Sequence, residues 1–479
     1  MAASKVLGEY LLKRFELSNG GISKVDISLI IDSWFINENI YDGWVSGSAA
    51  VTDTNNIVQN FPLNGEEKIF VEYEDWYGTT LSHTFFIYAI EHTEMDFISN
   101  DQAQQYIIRF CSPIKILAAT QLIKKGNQGI ISDFAKALFK TYYEDLDIIS
   151  NKKKELDIEP TKDNARLVVP AYDIIYALHM LTRYSYNHNK SSSYRFFENR
   201  EKFYFATPEY FCAKSIKMKG FNNAFGSLLD TTNNLSTDAF INAVQEKLDS
   251  AFVSGFGSQI EKLKNQASFW VGTPHEFTGD SRNPNAVEEI KMQQALGIKY
   301  LNRVDTLNDY NSGAYHRRVI HLDFKQREIY ENTYKFPKDM NQYFPNQKLV
   351  TRHHQGFVDA MIPEPYDIWV IKDWTEVAGA PDKPDPNQEQ LYGPKSMQLT
   401  HDMSNQIQIV VYGRNTVFAG SVVNLNFPEF AQRDQGSAAK PDTERNGLYM
   451  VSSITNEFIR DGYKQILTLT RTGNIQGNR

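Results

Sequence analysis

The feature that most restricts how this chain can fold is a run of period-two hydrophobicity near its C-terminal end. Residues 406–412, 421–427, 448–455 and 463–471 read as four strands of a meander. Ile407, Ile409 and Val411 alternate with polar neighbours, as do Val423 and Leu425. Successive side chains of a strand point to opposite faces, so one row enters a core and the other faces solvent or a neighbour. Gly413-Arg414-Asn415 and Arg460-Asp461-Gly462 read as tight turns, the second with Gly where a hairpin needs a positive φ. The stretch 433–442 is too rich in Gly, Pro and charge to pack. A small antiparallel barrel or sandwich results, and it must close on something earlier in the chain.

A chain of 479 residues exceeds a single core, so about two to four domains are expected. With 41% apolar and 23% charged residues it is neither disordered nor fibrous. Its 26 Tyr and 30 Phe favour β structure and large interfaces over helical bundles. A net charge of −8 argues against a surface built to neutralise phosphates. Cys111 and Cys212 make neither a disulfide scaffold nor a zinc set, and the expectation is folding in a reducing cytoplasm. No apolar run approaches the about 18 residues that span a bilayer, and Met1-Ala2-Ala3-Ser4-Lys5 lacks the order of a signal peptide.

Residues 1–21 read as a polar lead-in ending in a turn. Strands are predicted over 24–31, 44–51, 68–74, 84–91 and 105–111, at the spacing of a small all-β unit. After Ser112-Pro113 the period becomes helical: Phe134, Leu138 and Tyr142 share one face behind Ser132, and 172–184 forms a second amphipathic helix. Residues 194–198 and 202–206 form a hairpin turned at Asn199-Arg200-Glu201. A further helical stretch covers about 235–268, β structure returns near Tyr300 with 317–324 its clearest strand, and 373–398 is a long Pro-rich loop.

Catalytic signatures are missing from this pattern. His275-Glu276 is not followed by a second ligand, Ser254-Gly255-Phe256-Gly257 lacks the third glycine of a dinucleotide fingerprint, and Lys124-Lys125-Gly126-Asn127-Gln128-Gly129 has the wrong order for a phosphate loop. His353 and His354 would leave a strand on opposite faces and so suit a polar surface better than a metal. Glu72/Glu74 and Glu144/Asp145 read as solvated pairs, and Lys152-Lys153-Lys154 as a solvated helix or loop end rather than a nucleic-acid contact. Tyr41, Trp44, Phe70, Tyr73, Trp76 and Tyr77 read as barrel core and rim. No catalytic, cofactor-binding or metal-ligating residue is assigned, and no cofactor is called for.

Several short motifs, in order, resemble the baseplate hub proteins of contractile-tailed bacteriophages, relatives of the hub part of type VI secretion spikes. They are Asp53 with Phe61-Pro62-Leu63-Asn64-Gly65-Glu66-Glu67-Lys68-Ile69, then Arg109-Phe110-Cys111-Ser112-Pro113, then Val168-Val169-Pro170 and Phe196 through Phe205. Asp305-Thr306-Leu307, Gly313-Ala314-Tyr315, Leu322-Asp323, Asn446 through Val451 and Leu467 through Arg471 continue the likeness. The resemblance implies an α+β, mainly β chain of two tail-tube-like antiparallel β-barrels. The first barrel would occupy 1–112, completed by about 194–225, and an α/β insertion 113–193. A helical insertion would occupy 226–299 and the second barrel, with long loops, 300–479.

It also implies a homotrimer, a ring of six barrels joining a sixfold tail tube to a threefold central spike, placed in the virion baseplate after assembly in the host cytoplasm. The partners implied are the spike protein, the tail tube or tube-initiator protein and the baseplate wedge proteins. DNA would cross an acidic lumen without specific binding, and no membrane insertion is implied. The chain ends soon after its last predicted strand, so a needle and any lytic domain would belong to other chains. Two readings compete with this one: a tail-associated cell-wall or glycan hydrolase, whose two carboxylates could escape a motif search, and a nucleic-acid-binding barrel, which the acidity disfavours.

Overall fold

The computed structural model describes residues 8–19, 23–53, 61, 63, 65, 67–95, 104–146, 153–162, 164–188, 191–210, 268–272, 293–302, 306–324, 326–336, 338–339, 364–371, 393–395, 397, 406–429, 442, 445–460 and 462–471. The protein is mainly β, of the α+β class, with predominantly antiparallel sheets.

Seven strands open the chain: β1 (Leu11–Asn19), β2 (Ser23–Asp26), β3 (Ile31–Asn39), β4 (Ser46–Asp53), β5 (Lys68–Glu74), β6 (Thr80–Met95) and β7 (Gln104–Cys111). β1 lies where a polar lead-in was predicted. Phe15 and Leu17 are buried, while Arg14 and Glu16 face outward and ion-pair with Glu72 and Lys24, so the polar look belongs to one face only. The strand predicted over 24–31 is interrupted. Asp26 Oδ1 accepts the Ser28 amide at 2.9 Å in an Asx turn that leaves Leu29 exposed at its tip, and β3 starts afresh beyond it.

The next region alternates helix and strand: α1 (Pro113–Thr120), β8 (Ile123–Ile130), α2 (Ile131–Phe139), β9 (Leu156–Ile158), β10 (Asn164–Tyr172), α3 (Ile174–Tyr184), β11 (Arg195–Glu198) and β12 (Phe203–Ala206). Asp173 caps α3 by accepting the Tyr176 amide at 2.8 Å. Phe134 and Leu138 of α2 and Ile174, Leu178 and Leu181 of α3 form one core with Phe196, Phe203 and Phe205 of the β11–β12 hairpin. That hairpin extends in parallel onto β9, and among the described residues β8 pairs only with β10 in a separate two-stranded ribbon.

The remaining elements are β13 (Ser268–Trp270), β14 (Ala295–Asn302), α4 (Thr306–Asn311), β15 (His316–Asp323), β16 (Glu328–Lys335), β17 (Tyr366–Ile371), β18 (Gln406–Tyr412), β19 (Val422–Asn426), β20 (Gly447–Ile459) and β21 (Gly462–Thr470). All four C-terminal strands occur where the period-two pattern places them, but not as a meander. Their spatial order is β18-β21-β20-β19, because β18 pairs with β21 across the sheet. Gly413-Arg414-Asn415 therefore crosses a buried seam and does not turn a hairpin.

β20 is the strand that unites the molecule. One edge carries β21; the other carries β19 along Gly447–Met450 and then β3 from Ser453 to Phe458. Thirteen strands thus follow one sheet whose main path runs from β14 to β2. Where two tube-like barrels were expected, no closed ring forms among the described strands. The predicted helix over 235–268 lies outside the described residues except at Ser268, which opens strand β13; both histidine motifs and Ser254–Gly257 lie outside them too.

The union extends to side chains. Phe458 and Tyr463 belong to the C-terminal strands but to the core of β1–β7, where Phe458 stacks between Trp34 (3.7 Å) and Tyr463 (4.2 Å). Phe458→Ala is expected to cost about 3–5 kcal/mol and to destabilise the N-terminal strands as much as its own. Urea unfolding followed at probes in both regions checks this, with a single shared transition expected.

Candidate functional site

The chemical centre of the molecule is the seam where these regions meet. Asn199-Arg200-Glu201 turns the β11–β12 hairpin, and Asn199 Oδ1 accepts the amides of Glu201 and Lys202 at 2.9 Å each, which fixes the turn. The turn drives Arg200 into a fully buried position. Its Nε donates to Glu38 of β3, which is equally buried. Nη1 donates to the hydroxyls of Tyr73 (2.9 Å) and Tyr463 (3.1 Å), and Nη2 to the Val417 carbonyl (2.7 Å). The other Glu38 oxygen accepts the Ala419 amide at 3.0 Å. One guanidinium therefore binds the N-terminal strands, the hairpin and the C-terminal strands together.

Burial opposes the charge on Arg200, but the Tyr463 and Tyr73 hydroxyls and the Glu38 carboxylate more than offset it, and its pKa lies well above the ordinary arginine value. The network continues outward. Tyr463 Oη donates to Asn456 Oδ1 at 2.8 Å, and Gln465 Nε2 donates to Asn456 Oδ1 (2.9 Å) and to the Arg414 carbonyl (2.7 Å). Gly413 permits this approach, since a Cβ there would lie 2.1 Å from the Tyr463 ring. Arg414 is itself buried over the rings of Tyr77 (4.9 Å) and Phe269 (5.2 Å). Asn415 donates from its amide to Asp75 at 2.8 Å and from its side chain to the Thr79 carbonyl at 2.6 Å, clamping the β5–β6 turn.

A second buried carboxylate adjoins the first. Glu198 accepts Lys154 Nζ at 2.6 Å and the Val45 amide at 3.1 Å, and Lys154 also donates to the Asn199 carbonyl. Lys154 is thus a structural cation, in place of the solvated end predicted for Lys152-Lys153-Lys154. Tyr73 and Tyr77 are the buried members of the predicted aromatic group, and the Tyr73 ring contacts Trp34 and Phe458. Glu72 and Glu74 pair with Arg14 and Lys13. Among the described residues no group of His, Cys, Asp and Glu is placed to hold a metal, and no helix is long and apolar enough to cross a membrane. A small cavity of about 240 Å³, lined by Tyr310, Gly313, Tyr315, His316, Glu364 and Tyr366, lies apart from the seam.

Sequence reasoning located the hairpin turn but missed Arg200, Glu38, Asn456, Gln465 and Lys395. The only signal was a polar residue at an inward position of an alternating strand, which Asn456 and Gln465 both satisfy. Lys395, within the long Pro-rich loop, donates to the Thr182 carbonyl of α3 at 2.8 Å, and burial beside Arg195 and Arg183 lowers its pKa to about 7.

Removing one partner of a buried pair leaves the other charge uncompensated. Arg200→Met or Glu38→Gln alone is expected to cost about 3–5 kcal/mol, and the double variant less than their sum. Arg200→Lys does not rescue, because an ammonium cannot reach four acceptors in a plane. Chemical denaturation of the four proteins checks this. The seam also predicts acid sensitivity. Burial, with Lys154 and Arg200 nearby, holds His83 well below 6.5, and burial beside Arg183 lowers His179 to about 4. The unfolded chain takes up these protons first, so stability is full above pH 6.5 and falls as pH drops toward about 4. His83→Leu is expected to flatten part of that fall in melting temperature measured from pH 7 to 4.5.

No family model matches the chain, and no curated protein matches it. Solved structures similar to it include the tail protein from Neisseria meningitidis MC58, at 11% identity over 97% of each chain with a TM-score of 0.49. The 43 kDa tail protein of prophage MuSo2 from Shewanella oneidensis matches at 8% identity over 96% of this chain and 98% of its own, TM-score 0.48. An Escherichia coli component of the type VI secretion system, described as similar to the T4 tail proteins gp27 and gp5, matches at 8% identity over 97% of this chain and 78% of its own, TM-score 0.42. The solved structures similar to this chain over nearly its whole length are thus phage-tail and type VI secretion proteins.

Proposed function

We propose that this chain is a structural baseplate hub of a contractile phage tail: a homotrimeric ring with pseudo-sixfold symmetry that joins the sixfold tail tube to the threefold central spike and forms part of the DNA-ejection channel. The observation that carries the reading is the fusion of two β regions, from opposite ends of the chain, into one sheet through β3 and β20. A subunit built so offers two β units held rigidly side by side, and three subunits offer six. The main path of that sheet ends at β14 and at β2. Edges of this kind, unpaired among the described residues, need cover, and a heterologous contact that closes into a ring would provide it.

The domain plan is part of the proposal. Residues 1–112 would form one tube-like unit, completed by about 194–225, a reading supported by the reach of Arg200 from the hairpin to Glu38 and Tyr73. Residues 113–193 would form an inserted α/β unit, 226–299 a helical insertion that also holds β13 and the start of β14, and 300–479 the second unit. The hub would act without catalysis, a reading supported by the two buried carboxylates of the seam, each of which is paired with a cation and bonded to a backbone amide. Its partners would be the spike, the tube or tube-initiator protein and wedge proteins, with DNA passing an acidic wall.

Light scattering of the purified protein, alone and with a candidate spike protein, tests the proposal. A mass near three times 55.0 kDa, or trimerisation on adding the spike, is expected. A stable monomer indifferent to spike and tube proteins overturns it, and glycan or peptidoglycan turnover by that monomer would establish the hydrolase reading instead.

A further inference from the structure

Two strand edges of opposite charge face outward on this chain. The first belongs to the β8–β10 ribbon, whose outer edges are unpaired among the described residues. Lys124 and Lys125 of β8 are exposed, with no ion-pair partner among the described residues. As neighbours on a strand they leave it on opposite sides, so each face of the ribbon shows a cation. Leu122, Ile130 and Val168 are exposed beside them. At the ribbon's base the register slips between Pro170 and Tyr172, and Ala171 takes a φ of 57°, a bulge of the kind that bends a strand pair. The region 113–206 carries 15 Lys and Arg against 11 Asp and Glu, which leaves 35 against 47 in the rest of the chain.

The second edge belongs to β16, which among the described residues pairs only with β15. Glu328, Ile329 and Glu331 are exposed along it, with Lys335 exposed at its end and Glu331 3.6 Å from Arg318, and β16 and β8 are both 8 residues long. In parallel register two copies of β8 would oppose lysines, and two copies of β16 would oppose glutamates. Each suits the other, through main-chain pairing, apolar neighbours and opposite charge.

We propose that β8 of one copy pairs edge to edge with β16 of the next, Lys124 and Lys125 set against Glu328 and Glu331. The inference rests on the trimeric reading above and adds a contact outside the main sheet. A contact between different patches propagates in one direction, and in a closed trimer it occurs at all three interfaces.

The test uses the full chain and light scattering over a range of concentration and salt. Lys124→Glu/Lys125→Glu and, separately, Glu328→Lys/Glu331→Lys are expected to raise the apparent dissociation constant at least about tenfold. The quadruple variant, with both edges reversed, is expected to restore assembly. Circular dichroism of each variant reports the fold independently, since all four side chains are exposed. A wild-type trimer that both reversals leave intact, or that the quadruple variant fails to restore, overturns this contact while the trimeric reading stands. A wild-type protein that stays monomeric at every concentration overturns both.

Discussion

Arg200 is one residue at the tip of a short hairpin, yet its guanidinium touches β3, β5, β21 and the segment that follows β18. Each contact alone is modest. Together they form a geometric condition: the planar donors are satisfied only when the N-terminal strands, the hairpin and the C-terminal strands occupy one arrangement. A buried ion pair adds little net stability, because desolvation offsets its attraction. What it does here is penalise alternatives, since any slip of the C-terminal strands past β3 strands two charges and two phenols in an apolar core.

The same logic explains the division of labour along β20. Its first half serves the C-terminal core and its second half the N-terminal one, so the strand cannot fold with either partner alone. Asn456 and Gln465, buried on the facing strands, hold the register at the crossing by bonding to each other and to the Ile36 and Arg414 carbonyls. A one-residue slip would turn both amides toward the wrong face.

Much of this was legible from residue pattern. The period-two runs located the four C-terminal strands and five of the first seven, because each has one dry face. They failed where local chemistry mimics or masks the period. Ser28 continues the alternation of 24–31 in type, yet its bond to Asp26 breaks the strand. β1 hides behind Lys13, Arg14 and Glu16, whose partners lie far along the chain on β5 and β2. Pairing order was not legible at all: nothing in Gln406–Tyr412 says that its neighbour is β21 and not β19. The seam was equally hidden, since Arg200 sits in a stretch that reads as an ordinary polar turn.

The seam also limits how the two β regions can move against each other. A subunit whose two β regions were joined by a linker could flex, and a ring of such subunits would transmit force poorly. Here the regions share a strand, an aromatic stack and a buried guanidinium, so relative motion requires breaking main-chain pairing between β3 and β20. Open edges are a liability on a free monomer and an asset on a rigid one, because a rigid edge presents its donors and acceptors in register for a partner. In the proposed ring, the rigidity built at Arg200 would let the outward edges serve as specific contacts and not as sites of indiscriminate aggregation.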